Sequence, residues 1–188
     1  RVPPGKRVVD PAPTLEHVMM AARARVISNA GVDVRRQWAV LPRSGSFAGL
    51  SQAEQVGQLY AATLSAMYLR DWALAREMIQ RLLTATAGNV QANIQAKWLN
   101  AELELKADNA QAALAVLPLQ SSNAPQVAPK INARGNVEGP SLATINVVEQ
   151  VAPRRPELLL RADILLKLGQ AASVTSPLQT WVADRPRD

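Results

Sequence analysis

Acid–base and metal chemistry in this 188-residue chain would have to rest on very few side chains. The sequence contains one histidine, His17, and no cysteine. A zinc-protease helix of the form His-Glu-x-x-His needs two histidines one turn apart, because both bind the metal while the glutamate acts on water. Glu16 precedes His17, but the position four residues further on is Ala21. The sequence therefore predicts no metal ligand, cofactor or catalytic residue in this chain, and His17 is expected at a helix surface or cap.

The other candidates for catalysis lack suitable neighbours. Glu102 and Glu104 are two positions apart, so their carboxylates would point to different sides of a helix. A serine nucleophile needs a base within hydrogen-bonding reach, and no His/Asp arrangement supplies one. The glycines at 45 and at 135–139 are not followed by the Lys-Ser/Thr pair of a phosphate-binding loop. We therefore expect that this chain by itself is not an enzyme.

The composition favours an all-α protein. Hydrophobic residues make up 48% of the chain, which is ordinary for a globular protein, but aromatic residues make up only 4%. Alanine and leucine supply most of the apolar content. These residues favour closely packed helices, whereas sheets favour β-branched and aromatic side chains.

Positive charge is concentrated at the beginning of the chain. Residues 1–43 carry eight basic and three acidic side chains, so +5 of the total net charge of +6 lies there. Such a segment could meet a neighbouring protease domain or an anionic membrane surface, or it could simply be solvated. Nucleic acid is not expected as a partner, because no reader motif or aromatic stacking platform accompanies the charge.

The first 50 residues form a distinct segment in the sequence pattern. Four prolines at 3, 4, 11 and 13 oppose helix formation. Thr14 is then a plausible N-cap for a helix that stops near Gly31. A short helical piece is expected over residues 33–40, and a loop over 41–49.

Three helical hairpins are predicted after residue 50, over 51–88, 90–119 and 156–188, with an exposed insertion at 120–155. The first begins with Ser51 and Glu54, which fit a capping box. In the second, a first helix is expected over 93–107, and Ala112, Val116 and Leu119 are expected to face inward on the second helix. The third is expected to run through Leu158, Leu159, Ala162, Leu165 and Leu166 and to return through Val174, Leu178, Trp181 and Val182. Aligning Asp71 with Asp108 places the first two copies 37 residues apart.

The hairpins resemble tetratricopeptide (TPR) repeats, whose period is about 34 residues. The resemblance rests on a small residue after each turn and on an acidic or glycine residue at the turn. Those residues are Ala75, Ala112 and Val174, and the turns Arg70-Asp71-Trp72, Ala107-Asp108-Asn109 and Leu168-Gly169-Gln170. The resemblance implies a fold of antiparallel hairpins stacked into an α-α superhelix, with a groove lined by the first helix of each hairpin.

Seven side chains are predicted to bind a protein or peptide partner in that groove. The first hairpin supplies four of them and the second supplies three: Tyr60, Leu64, Met67, Tyr68, Ile94, Lys97 and Glu104. Core packing is the alternative interpretation for these residues. The third copy would add Leu159, Asp163 and Lys167.

A narrower resemblance comes from the arginine-containing stretch from Met19 to Val26 that precedes the repeats. It is similar to the last protease-domain helix of bacterial gluzincin-type zinc metalloproteases with a C-terminal repeat tail, the BepA-like envelope chaperone-proteases. The resemblance implies that this chain is a partner-recruiting tail in the periplasm, either free of the membrane or associated with it, with zinc held in an upstream domain. The alternative is a free-standing TPR-like adaptor in envelope complex assembly.

Overall fold

A computed structural model describes residues 13–28, 31–117, 157–175 and 178–179, and within these ranges the protein is helical with no strand. The predicted all-α class is therefore confirmed. The predicted insertion at 120–155, the residues before 13 and the end of the third hairpin lie outside the described residues. The helices are α1 (Leu15–Ser28), α2 (Val32–Val40), α3 (Gln52–Tyr68), α4 (Trp72–Ala85), α5 (Val90–Lys106), α6 (Ala110–Val116) and α7 (Glu157–Lys167).

The connection between α2 and α3 is more ordered than a plain loop. Two 3₁₀ turns cover Leu41–Arg43 and Gly45–Gly49. Arg43 pairs with Glu77 of α4, and the Arg81 guanidinium donates to the Pro42 carbonyl at 3.0 Å. These contacts hold the connection against the side of α4.

Polar side chains fix where the hairpin helices begin. Ser51 and Glu54 form the predicted capping box at the start of α3, in which each side chain accepts from the other residue's backbone N–H. Asp71, Asn89 and Asn109 accept from backbone N–H groups three residues further on, at 3.0, 2.9 and 3.3 Å. Because Asn89 caps α5, this helix begins at Val90 rather than at the predicted residue 93.

The hairpin turns share one backbone geometry. Arg70, Asp108 and Gly169 have φ values of 57°, 64° and 74°. In each turn the next N–H donates to the carbonyl five residues back, at 3.0, 2.8 and 2.9 Å, as in a Schellman motif. A left-handed conformation is easy for glycine, is tolerated by aspartate and costs energy for arginine. Arg70 is therefore the position at which the packing of the helices must offset a backbone cost.

The shared turns and caps correct the spacing of the repeats. Arg70 corresponds to Asp108, and both α3 and α5 have 17 residues. The starts and ends of these helices are all 38 residues apart, one more than the predicted 37. The small residue equivalent to Ala75 is therefore Ala113, and both are 0% exposed. Ala112, predicted for that position, is only partly buried.

Burial in the last helices corrects one further expectation. On α6 the buried residues are Ala110 and Ala113, and Ala113 is one residue beyond Ala112, which was predicted to face inward with Val116. Leu119 lies outside the described residues. On α7 Leu160, Ala162 and Ile164 are buried, whereas Leu166 is 52% exposed. Leu159 and Leu165 are intermediate, Val174 is buried, and the side chain of Leu158 lies outside the described part.

The buried residues form two hydrophobic clusters that meet at α5. The first cluster joins α1, α2, α3, α4 and one side of α5, including Leu99 and Leu103. The second joins the other side of α5, at Ala101 and Leu105, to α6 and α7. Since α1 and α2 pack on α3 within the first cluster, the segment before residue 51 shares its core with the first hairpin.

Candidate protein-interaction face

The structure buries most of the predicted partner-binding residues of α3. Tyr60, Leu64 and Met67 are 3%, 3% and 4% exposed and belong to the first hydrophobic cluster. Tyr68 is 43% exposed. The first three side chains therefore pack the core in this structure, and Tyr68 is the one predicted residue of α3 that a partner could contact.

Helices α1 and α2 cover the stripe of α3 to which these residues belong. Positions 57, 60, 64 and 68 lie on one face of a helix. At the first of them, a Cβ built on Gly57 would lie 2.8 Å from Cγ1 of Val18 in α1. Arg23 of α1 interacts with Tyr60. The stripe emerges only at its end, where the Arg35 guanidinium of α2 lies 4.1 Å from the centre of the Tyr68 ring.

The one-residue error in the period also displaced the predicted residues of α5. The 38-residue spacing makes Gln95, Trp98, Glu102 and Lys106 the equivalents of positions 57, 60, 64 and 68. We call these eight positions, four on each helix, the repeat face. Of the predicted residues, Ile94 is half-buried and Lys97 is exposed. Glu104 is 7% exposed and accepts two hydrogen bonds from Arg76 of α4, at 2.7 and 2.8 Å, on another side of the helix.

The ion pair between Glu104 and Arg76 joins the two hairpins. The hydrogen bonds from Arg76 hold the pKa of Glu104 below its ordinary value, and they outweigh the opposing effect of burial. Glu102, by contrast, pairs with Arg23 and Lys106. The two glutamates therefore serve different helix contacts, as the sequence predicted.

The third copy continues the same face on α7. Gly169 lies 61 residues after Asp108, which makes Leu159, Asp163 and Lys167 the equivalents of Trp98, Glu102 and Lys106. Lys167 donates to the Asp108 carboxylate at 2.5 Å and so connects α7 to the turn of the second hairpin. These three positions are the ones predicted for the third copy.

A small cleft, partly open to solvent, lies where α1, α3, α5 and α7 meet. One of its walls is Arg23, a charged side chain that is only 8% exposed. Burial alone lowers the pKa of Arg23, but Tyr60 and Glu102 together raise it above its ordinary value. The cleft is lined by Arg23, Tyr60, Gln95, Trp98, Leu99, Glu102 and Leu160.

Side-chain contacts link this buried arginine to the exposed end of the repeat face. The Glu102 carboxylate lies 3.4 Å from the Arg23 guanidinium and 3.6 Å from the Lys106 ammonium. Lys106 lies 5.7 Å from the Tyr68 ring, which Arg35 also covers. We call these five residues the cation cluster. It contains three positive groups and one carboxylate, and Tyr68 and Lys106 are its exposed members.

The other arginines of α1 and α2, and that of the connection, contact residues of the same chain. Arg25 lies over the Trp38 ring at 4.9 Å. Arg36 pairs with Asp33 at 3.3 Å, and Arg43 with Glu77. Arg25 thus joins α1 to α2, Arg36 pairs within α2, and Arg43 attaches the connection to α4 of the first hairpin.

The predicted histidine and tryptophan positions are also described. His17 lies at the start of α1, with its Nδ1 3.0 Å from the Thr14 hydroxyl. Trp72 and Trp98 pack at the edges of the two hydrophobic clusters. In residues 13–28, 31–117, 157–175 and 178–179, no three His, Cys, Asp or Glu side chains are grouped so as to hold a metal ion. Within the same residues, no helix has both the length and the apolar character needed to span a bilayer.

Comparison with protein-family models, with curated proteins and with solved structures found no match for this chain. The candidate face therefore rests on the geometry of the chain itself.

The residues predicted from the sequence to bind a partner did not include Arg35, Trp98 and Lys106. For Trp98 and Lys106 the sequence contains a signal that could have identified them. Ser51 and Asn89 are both suitable N-cap residues and are 38 positions apart. Aligning these helix starts, rather than the two aspartates, assigns Trp98 and Lys106 to the repeat face. The position of Arg35 over Tyr68 depends on how α2 packs, and the sequence pattern contains no comparable signal for it.

Proposed function

We propose that this chain is a non-catalytic protein-interaction module of TPR-like helical hairpins, which presents the exposed end of the repeat face, at Tyr68 and Lys106, to a protein or peptide partner. The observation that carries the proposal is the 38-residue spacing between the two hairpins, because it makes positions of α3 and α5 on one face equivalent. Arrays of this kind form extended surfaces that bind other chains. At the exposed end of this surface the Tyr68 ring lies beside the Arg35 guanidinium, and tyrosine and arginine are enriched at protein interfaces.

The specific setting that we propose is the partner- or substrate-recruiting tail of a periplasmic zinc metalloprotease. Its support is the resemblance of the stretch from Met19 to Val26, which lies on α1. In that setting the zinc and the catalytic residues belong to an upstream domain. A free-standing envelope-assembly adaptor is the alternative, and the gene decides between them. An in-frame His-Glu-x-x-His upstream of this segment supports the protease tail, and its absence from the complete reading frame refutes it.

Peptide display tests the binding function directly. The immobilised chain is used to select from a random peptide library, and the enriched peptides are measured against wild type, Tyr68→Ala and Val90→Ala. Val90 is a matched control because it is an exposed apolar residue (73%) outside the repeat face. We expect Tyr68→Ala to weaken binding about tenfold, as for an interface aromatic residue, and Val90→Ala to leave it unchanged. A selection that enriches no peptide, or peptides insensitive to Tyr68, contradicts the proposal.

A further inference from the structure

We infer that the exposed end of the cation cluster binds an acidic segment of a partner protein, whose glutamate or aspartate carboxylates contact Arg35 and Lys106 beside the Tyr68 ring. The inference rests on the proposed protein-binding function and specifies the chemistry of the partner.

The first argument is the charge balance of the cluster. Arg23 and Lys106 share the carboxylate of Glu102, at 3.4 and 3.6 Å. Arg35 forms none of the ion pairs found among the described residues, and the Tyr68 ring lies beside both Arg35 and Lys106. Three positive charges therefore face one negative charge. A partner carboxylate would reduce this excess of positive charge.

The second argument is the state of the Arg35 side chain. Among the residues that the structure describes, its buried Nε atom has no hydrogen-bond partner, and its Nη2 atom reaches the Val26 carbonyl only at 3.5 Å. The Tyr68 ring, 4.1 Å away, orients the guanidinium by a cation–π contact. An oriented guanidinium loses little conformational freedom when it binds a carboxylate, and its planar shape fits a carboxylate with two hydrogen bonds.

The third argument distinguishes an acidic protein segment from an anionic membrane. Membrane-surface binding uses protruding basic side chains together with an apolar face that enters the bilayer. Arg35 is instead half-buried against Tyr68. A flexible peptide carboxylate can reach a recessed guanidinium more readily than a flat layer of lipid head groups can.

The test uses the full chain and defined probes. Fluorescently labelled peptides of alternating Glu-Ser, Gln-Ser and Lys-Ser are titrated by anisotropy, and vesicles with and without phosphatidylglycerol are tested by co-sedimentation. We expect the Glu-Ser peptide to bind best, with affinity falling as NaCl is raised. We expect Arg35→Gln and Lys106→Gln each to weaken it about fivefold, the effect of losing one partly exposed charge contact.

Arg36→Gln is the matched control. Arg36 neighbours Arg35 on α2, but its side chain is 69% exposed and pairs with Asp33. We expect this variant to bind the Glu-Ser peptide like wild type. Because Lys106 is largely exposed, its variant keeps the test valid even if Arg35→Gln perturbs the docking of α2.

Three results would overturn the inference. They are equal binding of the Glu-Ser and Gln-Ser peptides, an equal loss with Arg36→Gln, or binding to anionic vesicles without binding to the acidic peptide. If peptides from the display selection bind through Tyr68 but without dependence on acidic residues, the proposed function stands and this inference fails. If no peptide binds in either experiment, both fail.

Discussion

The close approach of α1 to α3 at Gly57 makes a sharp prediction about stability. Gly57 lies inside α3, where replacing glycine by alanine ordinarily stabilises a helix by about 1 kcal/mol. Here the new Cβ would lie 2.8 Å from Cγ1 of Val18, at least 0.6 Å closer than the 3.4 Å at which ordinary contacts begin. Valine is restricted to essentially one side-chain rotamer in a helix, so α1 itself must shift to relieve the contact.

The two effects oppose each other, and their sum sets the expected result. Overpacking of this kind costs about 1–3 kcal/mol, which exceeds the helix-propensity gain of about 1 kcal/mol. We therefore expect Gly57→Ala to lower the free energy of unfolding by roughly 0–2 kcal/mol. In a Val18→Ala background the contact is absent, so the same substitution should raise the free energy of unfolding by about 1 kcal/mol.

Urea denaturation of the four proteins, followed by tryptophan fluorescence, measures this cycle. The coupling between the two sites should be about 1–3 kcal/mol and does not depend on what Val18→Ala costs by itself. If Gly57→Ala stabilises the wild type and the Val18→Ala variant equally, α1 does not lie on α3 as described. The conclusion that α1 covers the face of α3 with positions 57, 60, 64 and 68 would then be wrong.

Two further predictions address the repeat frame and the link between hairpins. Ala113→Leu should destabilise the protein by about 1–3 kcal/mol in urea denaturation, because Ala113 is fully buried where Ala75 is buried in the first copy. Ala112→Leu should change stability by less than about 0.5 kcal/mol. If Ala112→Leu instead destabilised the protein more than Ala113→Leu, the copies would be 37 residues apart as the sequence predicted. Glu104→Gln should destabilise the protein at pH 7, because the hydrogen bonds from Arg76 become weaker when the acceptor is neutral. Since the pKa of Glu104 is lowered by folding, its stabilisation is present above the unfolded pKa of about 4.3 and is lost as pH falls through the folded value. A pH titration of stability should therefore be flatter below pH ~5 in Glu104→Gln than in wild type, and parallel curves would refute the role of this pair.

Local sequence signals were sufficient for the helices. The capping box formed by Ser51 and Glu54 predicted where α3 begins. A capping side chain bonds to a backbone only three residues away, and helical periodicity is visible within a few turns. Such information is contained in a short stretch of chain, so it can be read without the fold.

The alignment of the copies was less secure because it depends on the turn conformation. Asp71 and Asp108 look equivalent in sequence, but Asp71 caps a helix and Asp108 adopts the left-handed conformation at the turn. Either role suits an aspartate. Because of the resulting one-residue error, the predicted binding residues of α5 did not include Trp98 and Glu102, which are the positions equivalent to Tyr60 and Leu64 of α3.

The sequence by itself determined that this protein is made of helices, where several of them begin, and that the histidine cannot be part of a His-Glu-x-x-His site in this chain. The tertiary structure decided which helical face remains available to a partner. Tyr60 and Tyr68 lie on the same stripe of α3, yet α1 buries the first while the second stays exposed beside α2. Whether a stripe becomes core or surface depends on which distant segment packs against it, and apolar periodicity is the same in both cases.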